Sequence, residues 1–501
     1  VSVRTTTRLG TVIGSERDGL RIFRGVPFAA PPLGALRFEA PQPPLPWREP
    51  LVAQAFGPGP LQPEDGLSKS LGLLDGREDF DEDCLHLNLW CPAEPAPPRP
   101  VMVWLHGGAF QSGTAAGPAY DGARLARRGD VVVVTLNYRV GALGFLHLDE
   151  AGPSNLGLQD QIAALRFVRD EIGAFGGDPE NVTLFGESAG AGSLCALLAM
   201  PAAHGLFRRA IIQSAAPNGI LSDEEGLARA QIFLDELGLE KADLATLRAL
   251  PPERILEAQA ACREPGPRRI GMFFAPVVEG RSLPLAPLAA VAQGTAAGVE
   301  LIIGTTAEEM RLYAMIPGFG ELDEAQLRQS VAERLPSGVQ GRAQALLAAY
   351  PAASSPRDRF FALETDWHLW LPATRMAEAQ AAHQPKTFMY RFTWRSNFKE
   401  GICRACHALD VPFTLGNLDA NPPLAAFSGS GPMARALSDL VMDAWAGFAR
   451  SGDPSPPGAP AWPPYTLPRR ATYELGAHPR VLEAPDEVRR VAWAQAIQET
   501  P

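Results

Sequence analysis

Short, nearly uninterrupted apolar runs, set apart by helical stretches, constrain this chain more than any other feature. Val101–Leu105 and Val131–Leu136 carry apolar residues at almost every position. A strand of that kind is covered on both faces, whereas a half-exposed strand alternates. Ile162, Leu165, Val168, Ile172 and Phe175 recur at spacings of three and four, which predicts an amphipathic helix with Phe167 sharing its core side. Asn181–Phe185 is the next expected strand and Ala189–Met200 the helix after it; Ala210–Gln213, Leu301–Gly304 and Thr387–Phe392 are later strands. Strands alternating with helices imply an α/β fold around a largely parallel sheet. Ahead of it, residues 11–30 read as an antiparallel hairpin built on Val12, Ile13, Leu20, Ile22 and Phe23, followed by a Pro-rich stretch from Pro27 to Pro46. Residues 222–295 and 320–385 are richer in helix formers and charge, and read as insertions over the sheet.

A chain of 501 residues exceeds the usual size of one hydrophobic core, so two domains are the naive expectation. Open α/β sheets with long insertions reach this length as one unit, and Asp453–Pro464 reads as a Pro-rich loop rather than a linker. Residues 1–501 are therefore predicted to form a single domain. A net charge of −11 without any basic run excludes a nucleic-acid footprint. No apolar stretch approaches the roughly 18 residues of a membrane span. Val1 to Arg8 is polar and lacks the apolar core of a signal peptide, so the expectation is a cytoplasmic protein, a removed leader being the other reading. Six cysteines are too sparse for a disulfide scaffold.

The segment Phe185-Gly186-Glu187-Ser188-Ala189-Gly190 lies between an apolar strand and an Ala-rich helix. A serine in a sharp strand-to-helix turn adopts strained dihedrals, so its neighbours must be small. Gly186 and Gly190 meet that need. The turn lifts Oγ above the sheet at a helix N-terminus, where developing negative charge is favoured. A bare GxSxG also occurs as a tight turn with an idle serine; the strand–turn–helix context favours Ser188 as a nucleophile.

Trp104-Leu105-His106-Gly107-Gly108-Ala109-Phe110 overlaps the end of another strand. Acyl transfer builds an oxyanion, and preorganised backbone N–H groups stabilise it. Glycines let the backbone approach closely and turn those groups inward. The amides of Gly108 and Ala109, with that of Ala189, are assigned to an oxyanion hole, and Gly107 shapes the loop. His106 reads as a residue holding this loop rather than as a base.

With these motifs in view, the chain resembles the type-B carboxylesterase family of α/β-hydrolases along nearly its whole length. Phe23-Arg-Gly-Val-Pro-Phe-Ala29 and Pro31-Pro-Leu-Gly-Ala-Leu-Arg-Phe38 match its N-terminal signature, and Glu82-Asp-Cys-Leu-His-Leu-Asn88 the second, with His86 where Tyr is common. Asn137–Phe145, Asn155–Gln161 and Phe175–Thr183 match the run into the elbow. The resemblance implies the α/β-hydrolase fold and a Ser–Glu–His triad in that chain order. Gly304-Thr-Thr-Ala-Glu-Glu309 fits the acid's stretch and puts it at Glu309, with Glu308 the adjacent competitor and Met310 where Gly is usual. The base falls on His407, within Gly401-Ile-Cys-Arg-Ala-Cys-His-Ala-Leu-Asp-Val-Pro-Phe-Thr-Leu-Gly-Asn417, with Asp410 in place of the commoner Glu.

The resemblance further implies a small-molecule ester and water as reactants, and neither cofactor nor metal. Cholinesterases of the family bind quaternary ammonium on a Trp upstream of the Glu-Asp-Cys motif, and Leu71–Phe80 holds none, so neutral short- to medium-chain and aryl esters are expected. Phe110, Phe273 and Trp370 are candidates for the pocket wall and equally for the core. Cys403-Arg-Ala-Cys-His407 spells a haem-attachment motif, but nothing signals a haem crevice or axial partner; redox and zinc readings of the CxxC pair are likewise disfavoured, no second ligand pair lying nearby. Cys84 sits where secreted relatives form a disulfide, and the matching upstream stretch, Phe56–Gln62, has no cysteine. Catalytically dead adhesion proteins of the family are the competing class, but they usually lose a triad member, and all three are present here.

Overall fold

A computed structural model describes the chain apart from residues 77–78, 149–151, 216, 242, 263–271, 336–338 and 498–501. One large sheet runs through it. Its main strands are β1 (Ser2–Thr7), β2 (Gly10–Arg17), β3 (Leu20–Pro27), β4 (His86–Pro92), β5 (Arg99–Leu105), β6 (Val132–Leu136), β7 (Gly177–Glu187), β8 (Arg209–Gln213), β9 (Glu300–Thr306), β10 (Thr387–Phe392), β11 (Thr472–Leu475) and β12 (Arg480–Leu482). Their spatial order is β1-β2-β3-β4-β6-β5-β7-β8-β9-β10-β11-β12, with Leu51–Val52 added beside β2. From β6 to β11 every neighbouring pair is parallel. The pairs at the two flanks, β1 to β4 against β6 and β11 against β12, are antiparallel.

The apolar runs sit where their composition requires. Every residue of β6, and Val101 to Leu105 of β5, has no measurable solvent exposure. The N-terminal hairpin forms between β2 and β3 as expected. The polar stretch before it is also a strand, because Thr-rich sequence pairs well along a sheet edge that water reaches. β4 escaped the pattern reading: it begins at His86, within the Glu-Asp-Cys-Leu-His-Leu-Asn motif, and runs on to Pro92, antiparallel to β6.

Helix α1 (Leu156–Glu171) buries Phe167 together with Val168, and the chain tightens into a 3-10 turn over Ile172–Phe175. Helix α2 (Ala189–Ala199) is buried along its whole length, which explains a composition of small and apolar residues without charge. The long stretches between β8 and β9 and between β9 and β10 hold helices such as Asp223–Leu237, Pro252–Ala261, Glu324–Ala332 and Leu371–Ala381. No helix among the described residues is long and apolar enough to cross a membrane.

Candidate active site

Open parallel sheets place their crevice at the carboxyl ends of the strands, and the chemistry-bearing segments collect there. The glycine loop leaves β5, the serine turn leaves β7, and Glu309 follows β9.

Ser188 has φ 56° and ψ −123°, a conformation that side chains tolerate only under compulsion. The compulsion comes from packing on both sides. A Cβ at Gly190 would stand 2.0 Å from the Leu105 carbonyl oxygen, and one at Gly186 would stand 2.7 Å from the same atom. Only glycine lets the elbow press so closely on β5. The Ser188 amide donates to the Gln213 carbonyl at 3.0 Å, which pins the turn to β8.

The neighbouring loop is equally strained. Gly108, Ala109 and Phe110 all have positive φ, at 117°, 55° and 58°. Three successive residues thus hold the backbone in the left-handed region. A Cβ on Gly107 would lie 3.2 Å from Ser188 Cβ, so the loop abuts the nucleophile candidate directly. His106 is fully buried, stacks on Tyr138 at 4.3 Å, and its Nδ1 contacts the Gly107 carbonyl at 2.8 Å. Burial pushes its pKa down to about 4, so it stays neutral and holds the loop, as its sequence context suggests.

Of the two adjacent carboxylates, Glu309 reaches the imidazole. Its Oε2 lies 2.7 Å from His407 Nδ1 and its Oε1 accepts from the Thr306 amide at 2.7 Å. Glu308 turns outward to Arg404 and Arg395. The two loops are also tied through their backbones: His407 N–H donates to the Glu309 carbonyl at 3.0 Å and Glu308 N–H to that of Ala405 at 2.9 Å.

His407 Nε2 faces Glu187 Oε1 at 3.1 Å. The Ser188 hydroxyl makes no hydrogen bond to the imidazole, whose Nε2 is met instead by the carboxylate of Glu187, the residue before the serine. This carboxylate was not singled out from the sequence. Its burial pushes its pKa up to about 8, despite the opposing pull of His407. Burial acts against the charged imidazole too, yet Glu187, Glu309 and Asp410 outweigh it and raise His407 to about 9. Asp410 lies deeper still, accepting from Gln213 Nε2 at 3.0 Å and Tyr390 OH at 2.9 Å. Burial raises it to about 6. One imidazole among three buried carboxylates makes a proton-holding centre, and no local sequence pattern announces it.

Phe110, Phe273 and Trp370 are all buried in the hydrophobic core; Phe110 packs edge-on against Phe145, and Phe273 against Phe274. The described residues contain no group of three or more His, Cys, Asp or Glu side chains arranged to hold a metal ion.

The mostly parallel sheet, its antiparallel N-terminal flank and the serine elbow between strand and helix define an α/β-hydrolase. Residues 1–493 match the carboxylesterase family, and the chain belongs to it. It is thus a carboxylic ester hydrolase. It is 40% identical over 489 residues to the para-nitrobenzyl esterase of Bacillus subtilis (strain 168), covering 97% of each chain. It is 35% identical to the phenmedipham hydrolase of Pseudarthrobacter oxydans, across 96% of this chain and 97% of that one. A thermophilic para-nitrobenzyl esterase superposes with a TM-score of 0.88 at 38% identity, covering 98% of this chain and 99% of the other. The Geobacillus stearothermophilus carboxylesterase at pH 6.2 gives 0.87 at 36% identity, with the same coverage.

Proposed function

We propose that the protein hydrolyses neutral short- to medium-chain carboxylic esters, aryl esters included, through a Ser188–His407–Glu309 triad and an acyl-enzyme. The contact between His407 Nδ1 and Glu309 Oε2 at 2.7 Å, beside a strained serine elbow, carries the reading. The Ser188 hydroxyl has to turn towards His407 Nε2, which faces Glu187 Oε1 at 3.1 Å; Nε2 then takes its proton as Oγ attacks the carbonyl carbon, while Glu309 fixes the ring's orientation and stabilises its cationic form. The tetrahedral oxyanion is held by the amides of Gly108, Ala109 and Ala189. His407 protonates the departing alcohol, and water activated by the same imidazole frees the acid. The residues supply acid, base and nucleophile among themselves. We read residues 1–501 as one α/β-hydrolase unit with insertions at 222–295 and 320–385, supported by a single sheet that takes strands from both ends of the chain. A reducing, cytoplasmic setting is the companion proposal, supported by the missing cysteine partner for Cys84 in Phe56–Gln62.

The neutral, aromatic-tolerant substrate class draws support from the para-nitrobenzyl group in the Bacillus relative's name and from a stretch Leu71–Phe80 without Trp. An acetylcholinesterase from Bungarus fasciatus is 30% identical across 95% of this chain and 83% of that one. Similarity to it therefore does not decide the substrate. The test is covalent labelling with an organophosphonate, read by mass spectrometry, alongside rates on para-nitrophenyl and choline esters. Label on Ser188, its loss in Ser188→Ala, and a specificity constant at least ~10-fold higher for the para-nitrophenyl ester than for butyrylcholine are expected. An unlabelled protein, or full turnover by Ser188→Ala, refutes the mechanism. Equal constants for the two esters refute the substrate class.

A further inference from the structure

The peptide unit between Glu309 and Met310 is gripped from both sides. Its carbonyl, that of Glu309, accepts from the His407 N–H at 3.0 Å, and its N–H, that of Met310, donates to Thr365 Oγ1 at 3.2 Å. The 309–310 bond is trans, so the two groups point to opposite edges of one rigid plane. The backbone of His407 holds one edge and the Thr365 hydroxyl the other. The Met310 N–H needs such a partner. It lies at the start of the 3-10 turn Glu309–Met315, where the first amides have no acceptor within the turn, and Met310 is buried. Thr365 is itself only 4% exposed, and a hydroxyl cut off from water is kept where it meets a polar partner.

We propose that Thr365 is a positioning residue for ester hydrolysis, its hydroxyl clamping the peptide plane that ties the acid to the base. The proposal rests on the reading of Glu309 as the acid partner of His407. The Glu309 carboxylate is aimed by two contacts, with the Thr306 N–H and with His407 Nδ1, each at 2.7 Å. A long, flexible side chain keeps both only while its own backbone stays still. Ahead of Glu309, the Glu308 N–H donates to the Ala405 carbonyl at 2.9 Å; behind it, the His407 N–H and Thr365 hold the 309–310 plane. Without the hydroxyl that plane is held on one edge and can swing about the single bonds that flank it. Swinging it turns the Glu309 carbonyl away from the His407 amide, and the acid and base lose their common support.

The clamp has a firm seat. Thr365 ends the helix Pro356–Thr365, which continues through a π-helical turn, Asp366–Trp370, into the helix Leu371–Ala381. Such turns are rare within helices and frequent at functional sites. The buried Asp366 anchors the junction: its Oδ2 accepts from Tyr350 OH at 2.6 Å, and its Oδ1 lies 3.2 Å from Arg489 Nη1. Trp493 Nε1 donates to the same Tyr350 oxygen at 2.7 Å. Arg489 and Trp493 both belong to the helix Glu487–Ala496. Thr365 thus takes its place from groups far from Glu309 in sequence, and the helical stretch between β9 and β10 reaches the acid as well as covering the sheet. A shift of about 1 Å in a catalytic group is worth on the order of 100-fold in rate, so a clamp of this kind is felt in turnover.

The experiment compares the full-length protein with Thr365→Val, which keeps the shape and removes the oxygen, Thr365→Ala, which removes it without a second methyl group against Met310, and Thr365→Ser, which keeps it. Steady-state kinetics on a para-nitrophenyl ester is read beside urea unfolding midpoints, so that only folded protein is compared. In Thr365→Val and Thr365→Ala, kcat should fall at least ~10-fold while KM changes less than about 2-fold, because the alignment of acid and base matters in the transition state and not in holding the ester. Organophosphonate labelling of Ser188 should slow in step. Thr365→Ser should recover most of the lost rate. Wild-type turnover in folded Thr365→Val and Thr365→Ala, a change confined to KM, or a Thr365→Ser protein as slow as Thr365→Val overturns the inference. Glu309→Gln tests the reading beneath it, with a loss on the order of 10⁴-fold expected. Full activity in that variant refutes Glu309 as the acid, whereas an inactive Glu309→Gln beside an undisturbed Thr365→Val refutes the clamp alone.

Discussion

A carboxyl group cut off from water, with an imidazole 3.1 Å away, couples its charge to that ring, and Glu187 is in that position beside His407. A negative Glu187 stabilises the imidazolium, so it raises the His407 pKa and keeps the base protonated to higher pH. Hydrolysis should therefore rise with pH through neutrality and level off only around 9, the value at which His407 gives up its proton. In Glu187→Gln the charge is gone, the imidazolium loses support, and the midpoint of kcat/KM should move down by on the order of one pH unit. A pH–rate series on both proteins checks this, and an unmoved midpoint counts against the coupling. Gly190→Ala tests the elbow: its new methyl would sit 2.0 Å from the Leu105 carbonyl oxygen, so Ser188 has to move. Loss of organophosphonate labelling is expected, and full labelling contradicts it. Ser188, Gly107 and Gly108 could be picked out as candidates because their motifs are written in contiguous residues. Glu187 could not, although it stands next to Ser188, because its importance comes from burial and from an imidazole in a distant loop. Glu309 is preferred to Glu308 on the family resemblance alone; the residues' own chemistry leaves the two open, and only the direction of the side chains separates them physically.

Among the elements, the loop after β5 depends on a support it does not contain. Ser112 Oγ donates to Asp65 Oδ2 at 2.7 Å and lies 3.3 Å from the Gly108 carbonyl. Gln62 grips Gly113 through both backbone groups, at 2.7 and 2.8 Å. A segment more than forty positions upstream thus holds three consecutive left-handed residues in place. Ser112→Ala removes the tie without touching the cap that Asp65 makes on the helix Gly66–Leu71. A fall in kcat of roughly 10-fold at little-changed KM is expected, because amides that have lost their aim stabilise the oxyanion more than they bind the ester. Steady-state kinetics decides it, a change in KM alone being the contrary outcome. The inner strands were legible because burial on both faces leaves an apolar signature in the strand itself. β1, with its threonines, and the short β11 and β12 carry no such signature. Their place follows from neighbours on the sheet, information that a window of the sequence does not hold.

Across the whole molecule, buried ion pairs join segments that are far apart in the chain, and their value lies in what happens when one partner is lost. Arg37 binds Glu82 with two hydrogen bonds, at 2.7 and 2.5 Å, while its remaining nitrogen donates to the carbonyls of Arg248 and Leu250 at 2.9 and 2.6 Å. One guanidinium thereby fastens the N-terminal arm, the loop before β4 and the helical region after β8. Arg139 does the same for Asp160 on α1 and the Glu39 carbonyl. Such a pair gains little over well-packed apolar groups, because desolvation cancels most of the attraction. Removing one side is different, since the other charge stays buried and alone. Arg37→Met should therefore destabilise by about 3–5 kcal/mol, and Arg37→Met with Glu82→Gln by clearly less, because no unpaired charge is left. Urea unfolding midpoints for wild type, both single variants and the double variant close the cycle. Additive effects would mean that the pair acts as two separate packing groups. A double variant steadier than Arg37→Met would place the penalty on the stranded carboxylate, with the esterase rate of the folded protein unchanged because neither group touches the reacting atoms.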